Sequence, residues 1–135
     1  MKIMVGSQAM RYFDLTGRKC LDTDYICTYH EYSDDVERSK NKGTFVCSYQ
    51  ESKEYFVLKT TGGIFEYEIT DFSDSGRQLH DIILEKSLHS GIAAKPCVLL
   101  SLKESHKYKK NSPHFYKTMS DIRALRAYGV IERII

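Results

Sequence analysis

The chain has 135 residues, 41% hydrophobic and 28% charged, with a formal net charge of +2. That length suits one domain with a real core, and the composition is that of a soluble globular protein. No apolar run approaches the ~20 residues needed to span a membrane, so no membrane partner is expected. The near-balanced charge selects no partner class, which leaves that argument to local charge. Cys20, Cys27, Cys47 and Cys97 are scattered, without the two-residue gap of a zinc knuckle or a thioredoxin-like motif. Cys27 and Cys47 fall in strand-like runs and are expected in the core. The opening Met1-Lys2-Ile3-Met4-Val5 is too short an apolar run for a signal peptide, and a reducing, cytoplasmic location is expected.

Residues 2–5 read as a buried first strand. Residues 8–16 read as a helix with Ala9, Met10, Phe13 and Thr16 near one face and Gly17 as its stop. Residues 23–29 read as a second strand, apolar on both faces at Tyr25, Ile26 and Cys27, as in a central position. Ser33 is the expected cap of a short surface helix that ends before Gly43. A β region follows, with strands over 44–49, 54–60 and 64–70. Thr61-Gly62-Gly63 joins the last two as a hairpin. In the last strand Glu66 and Glu68 share one face, and Phe65, Tyr67 and Ile69 the other.

Beyond residue 70 the pattern turns helical. One helix is expected over 78–88, carrying His80 and leading to His89, both read as surface residues. Another starts at Lys95-Pro96, with Val98, Leu99 and Leu102 on its apolar side. A last helix is expected over 113–128, with Phe115, Met119, Ile122 and Leu125 facing the core and Gly129 ending it. Residues 130–135 then read as an apolar tail that forms a short strand or meets a partner chain. The expected fold is α+β: one domain over 1–135, a mixed sheet with helices packed on one face. Its strand-rich part is 1–70 and its helical part 71–135.

The chemistry-bearing residues begin at Gly6-Ser7, between the first strand and the first helix. Asp22 and Asp24 open the second strand. Residues i and i+2 of a strand point to one side, so the two carboxylates lie together and invite a divalent cation. A glycine-serine turn at a helix start lets phosphate oxygens approach backbone N–H groups. Strand, Gly-Ser turn, helix and Asp-x-Asp strand together resemble the nucleotidyltransferase fold of polymerase beta, aminoglycoside nucleotidyltransferases and toxin–antitoxin transferases. The match spans roughly the first seventy residues. The remainder resembles small bacteriophage nucleotidyltransferases at Leu102-Lys103-Glu104-Ser105-His106 and around Ser112-Pro113-His114-Phe115-Tyr116-Lys117. The resemblance implies a third acid on a later strand, Glu68 or Glu66, and magnesium or manganese held by Asp22, Asp24 and Glu68. It also implies a nucleoside triphosphate whose phosphates meet Gly6 and Ser7. The two-ion chemistry of nucleotidyl transfer uses such an acid set to activate a hydroxyl and hold the leaving pyrophosphate.

Lys103, His106, Lys107 and Lys110 fall at i, i+3, i+4 and i+7, a single helical stripe, with His114 and Lys117 shortly after. This patch is a candidate ligand for the triphosphate or for a nucleic-acid backbone, with Tyr108, Phe115 and Tyr116 interleaved for stacking. The first expectation is a metal-dependent transfer of a nucleoside monophosphate to an unknown hydroxyl acceptor. The alternative is a non-catalytic phage protein of the same fold that binds DNA or RNA or docks onto another phage protein, in the host cytoplasm. A homodimer would double its charged footprint.

Overall fold

The computed structural model describes residues 2–16, 22–78, 81, 93–105 and 113–134. Five strands form one mixed sheet in the order β1-β2-β5-β4-β3. They are β1 (Ile3–Val5), β2 (Asp22–Cys27), β3 (Phe45–Ser52), β4 (Tyr55–Thr60) and β5 (Gly63–Ile69). Four helices have described bounds: α1 (Gly6–Tyr12), α2 (Tyr29–Asn41), α3 (Pro96–Ser105) and α4 (Pro113–Ile134). The α+β class and the mixed sheet follow the sequence expectation.

Strand β1 pairs antiparallel with β2, and β2 pairs parallel with β5. The parallel pair requires a crossover, supplied by α2 and the β3–β4 hairpin. Strands β4 and β5 join through residues 61–62, as the glycine pair predicts. The short edge strand β1 is closed on its outer side: Met4 bridges Ala93, and the Ala94 N–H donates to the Met4 carbonyl at 3.0 Å.

Helices cover both faces of the sheet, which corrects the expectation of a single covered face. Ile26 and Cys27 are adjacent on β2, both buried, and alternate to opposite sides. Ile26 joins Ile3, Met10, Leu99 and Leu125 in a core under α1, α3 and α4. Cys27 joins Tyr67, Ile69, Leu58, Tyr32 and Val36 in a second core under α2. Burial, chiefly, pushes the Cys27 thiol up to about 12, so it stays protonated and inert. Helix α2 therefore is no mere surface helix. Tyr32, Val36 and Ser39, at i, i+4 and i+7, form its buried stripe.

Local signals explain where helix ends depart from expectation. Helix α2 starts earlier than Ser33 because Thr28 accepts from the Glu31 N–H while the Glu31 carboxylate accepts from the Thr28 N–H, a reciprocal cap. Helix α1 starts at Gly6, directly after β1, and ends at Tyr12 rather than reaching 16. Asp14, at φ +57°, takes the left-handed position after the helix. The Leu15 N–H then reaches the Met10 carbonyl at 2.9 Å, and the Asp14 N–H reaches that of Arg11 at 3.0 Å. Helix α4 runs through Gly129, so residues 130–134 are its last turns and not a strand. The expected helix over 78–88 falls almost wholly outside the described residues, as do Gly17, Cys20 and His80.

Gly129 has no positive φ, and a Cβ there would meet no atom within 4 Å. Gly129→Ala is therefore expected to stabilise the protein by roughly 0.5–1 kcal/mol in denaturant unfolding. A destabilised variant would show that the helix stops at this residue.

Candidate functional site

The strand order brings three separated stretches to one point. Val5 pairs with Asp24, so the start of α1 stands beside the first turn of side chains on β2. Asp24 pairs with Glu66 across the parallel β2–β5 ladder, and directly opposed residues share a face. Asp22 lies two residues back on that face, opposite Ile64.

The Asp24 carboxylate lies over Gly6. A Cβ at Gly6 would collide with Asp24 Oδ2, and the φ of +69° is itself a conformation that favours glycine. Two independent constraints, space and backbone, thus require the glycine that the sequence motif contains. The Ser7 side chain lies outside the described residues.

Glu66 is held far from its usual ionisation. Burial first, then a hydrogen bond to Asp24, then the charges of Asp24, Asp22 and Glu51 raise its carboxyl from 4.5 to about 8. At neutral pH it therefore carries a proton and donates it to Asp24. Two carboxylates this close share one proton because both cannot ionise cheaply. Glu68, two residues on, stands opposite Ile26 and accepts from the Tyr55 hydroxyl at 2.7 Å. Both glutamates line the same cavity, but Glu66 is the one that meets the aspartate.

That cavity measures about 240 Å³ and lies between the sheet and the two C-terminal helices, bounded by Gly6, Asp24 and Glu66 on one side and Leu102, Lys103 and Thr118 on the other. Lys103 reaches it from α3 and pairs with Asp121 of α4 at 2.9 Å, the aspartate being only 3% exposed. Sequence reasoning placed Lys103 among phosphate ligands and missed its tie to Asp121. The signal was available: Asp121 sits three residues before Ala124 and four before Leu125, on the inward side of α4, where an acid needs a partner. Lys117 is exposed on α4 and lines none of the cavity. His106, Lys107 and Lys110 lie outside the described residues, as does the side chain of His114.

Among the described residues no group of three or more His, Cys, Asp or Glu side chains is assembled as a metal site. The donor chemistry of the pair still suits a hard divalent cation. Magnesium is commonly held by one or two carboxylates, with water and substrate phosphates completing its shell. Asp24 and Glu66 offer two such carboxylates at one position of the ladder, and the cation would replace the shared proton.

A family model described as a domain of unknown function (DUF7277) matches residues 2–91. No curated protein matches the chain. The matched segment contains Gly6, Asp22, Asp24, Glu66 and Glu68, while Lys103 and Asp121 lie beyond it.

Two outcomes are expected of this geometry. Gly6→Ala must move the Asp24 carboxylate and strain the backbone, and is expected to cost at least about 1 kcal/mol in denaturant unfolding. A neutral Gly6→Ala would mean that Asp24 does not occupy that space. The raised Glu66 acidity has a definite sign. The folded state holds a proton that the unfolded chain releases, so this contribution is complete below about pH 4.5 and is lost as pH rises to about 8. In cation-free buffer, melting of the wild type should fall relative to Glu66→Gln between those limits. Parallel pH curves for the two proteins would contradict the shared proton.

Proposed function

The chain belongs to the family described as a domain of unknown function, DUF7277, and from that premise we propose that its cavity transfers a nucleoside monophosphate from a nucleoside triphosphate to a hydroxyl acceptor with a divalent cation. The observation that carries the reading is the seat of Asp24 on Gly6, joined across the ladder to Glu66. A purely structural acid pair has no need of a glycine cleared to admit it. Raising an acid to about 8 leaves a group ready to yield its proton when positive charge arrives.

The balance of the reaction is simple. The acceptor oxygen forms a bond to the α-phosphorus, the bridging bond to the β-phosphate oxygen breaks, and pyrophosphate leaves with its charge. The acceptor's proton must go to a base. A bound divalent cation would offset the negative charge that builds during the transfer and lower the pKa of the attacking hydroxyl. The chain's own residues supply the rest. Glu66, once its proton is displaced, is the base beside Asp24. Asp22 adds negative charge from the same face of β2. Lys103, positioned by Asp121, presents an ammonium on the opposite wall for phosphate oxygens. Leu99 and Leu102 line the same wall and exclude water.

Magnesium or manganese is the cation class that fits these oxygen donors. The described cavity is acidic apart from Lys103, so a polyphosphate enters it favourably only together with a cation. That suits the transferase reading, in which the phosphates arrive together with a divalent cation.

Calorimetry with each nucleoside triphosphate tests it. Binding is expected with magnesium or manganese present and is expected to disappear with a chelator. Asp24→Asn combined with Glu66→Gln should weaken binding by about tenfold or more and abolish pyrophosphate release. Triphosphate binding that ignores both the chelator and the double substitution would overturn the proposal. Salt-sensitive DNA or RNA binding that survives the double substitution would instead favour the nucleic-acid-binding alternative.

A further inference from the structure

The two edges of the sheet are treated differently. On β1 the outer side is occupied by residues 93–94. On the opposite edge, β3 is eight residues long and among the described residues pairs with β4 alone. A strand edge of that length presents a row of backbone donors and acceptors that another strand can satisfy.

Edge strands usually carry devices against such pairing, above all charges and proline. From Phe45 to Gln50 this one has neither, and Glu51 is the only charged residue of β3. Its two exposed large apolar side chains, Val46 at 57% and Tyr49 at 44%, lie within the same stretch. Bulges also guard edges, and the irregularities in the pairing with β4 fall between Phe45 and Cys47 and between Gln50 and Ser52, at the two ends. They leave Cys47–Gln50 as the regular middle.

We infer that β3 is the interface of a homodimer, pairing antiparallel with β3 of a second copy to give one continuous ten-stranded sheet. The partner is a second copy because the strand complements itself. A two-fold axis between antiparallel strands stands normal to the sheet and passes between one residue and its own symmetry mate. With Ser48 at that position, Cys47 opposes Tyr49 of the other copy, twice, and both lie on the face shared with Val57 and Lys59. Two apolar cross-strand pairs flank a serine–serine pair. Glu51, the only charged residue of β3, lies outside this regular stretch, so no like charges meet within it.

The symmetry has a consequence for the cavity. An axis normal to the sheet keeps each face on its own side. Glu66 shares its face with Val57, and therefore with Cys47 and Tyr49. Both cavities of the dimer therefore open on one face of the joined sheet.

Sedimentation equilibrium of the full chain tests the interface. The wild type is expected at twice 15.6 kDa. Val46→Lys, at an exposed position that should not disturb folding, is expected to weaken self-association by about tenfold or more, with an unchanged circular dichroism spectrum. Tyr49→Glu is a second variant: its carboxylate can meet Lys59, which now lies over the Tyr49 ring, while adding a charge to the paired stretch. A wild type that stays monomeric at about 100 µM overturns the inference. A dimer indifferent to both substitutions overturns it as well, since the contact would then lie elsewhere.

Discussion

The seat of a carboxylate on a glycine sets the terms for the rest of this structure. Asp24 occupies the space a side chain at residue 6 would need. That is possible only if β1 delivers residue 6 beside residue 24, and the antiparallel register Val5↔Asp24 does so. The opposition of Asp24 and Glu66 needs β5 to lie parallel to β2, in a register fixed by buried neighbours further along. Ile26 and Cys27 are buried in different cores, so β2 cannot slip by one residue without exchanging them. Two apolar side chains thereby hold two carboxylates face to face, against the repulsion that would separate them. Burial first, and then the bond to Asp24 and its charge, raise the Glu66 carboxyl well above its usual range.

The charge around the cavity is arranged by depth. Asp121 is almost fully buried and would be costly without its lysine; Lys103 is 14% exposed and would be costly without its aspartate. Each offsets much of the other's cost of burial. The pair also joins α3 to α4 and holds the lysine on the cavity wall, where a flexible surface lysine would sample many positions. On the far face, the Asp35 carboxylate plays a comparable role, accepting from Tyr67 and from Lys2 at 2.7 Å each. It ties α2 to β5 and to the residue that leads into β1.

Much of this was legible in the residues, because the signals were local. The glycine pair at 62–63 announced the hairpin, and the alternation through Phe65, Glu66, Tyr67 and Glu68 assigned the faces of β5. The Gly6-Ser7 turn and Asp22-x-Asp24 pair were found for their spacing, and the sheet brings Gly6 and Asp24 together. What was missed depended on partners distant in sequence. The choice between Glu66 and Glu68 is a matter of register with β2, which no periodicity contains. The second covered face depends on α2, whose charged sequence hid the three-residue stripe Tyr32, Val36 and Ser39. The early start of that helix was readable, since Thr28 and Glu31 have the capping spacing, but Ser33 drew attention first. Gly129 looked like a stop, yet a glycine ends a helix only when its backbone turns left-handed, and this one does not. Asp14 does turn, and it ended α1 without any glycine.

The cavity has two sources in the chain, and they differ in kind. Its acidic wall belongs to the segment that defines the family, and its basic and apolar wall to α3 and α4 beyond it. The join runs through small buried residues: Ala93 and Ala94 pack in the same core as Ala9 and Met10, with Val98 and Leu99 following. Small side chains allow close approach of backbones, so the C-terminal helices are registered against α1 and β1 at the end of the sheet that carries Asp24. The same contact that closes the β1 edge therefore sets how far Lys103 stands from the acids. A metal-and-phosphate site demands that opposed charges be fixed at a separation neither could choose alone. In the site proposed above, the alanines that join the two parts of the chain would help to set that separation, although they carry no charge themselves.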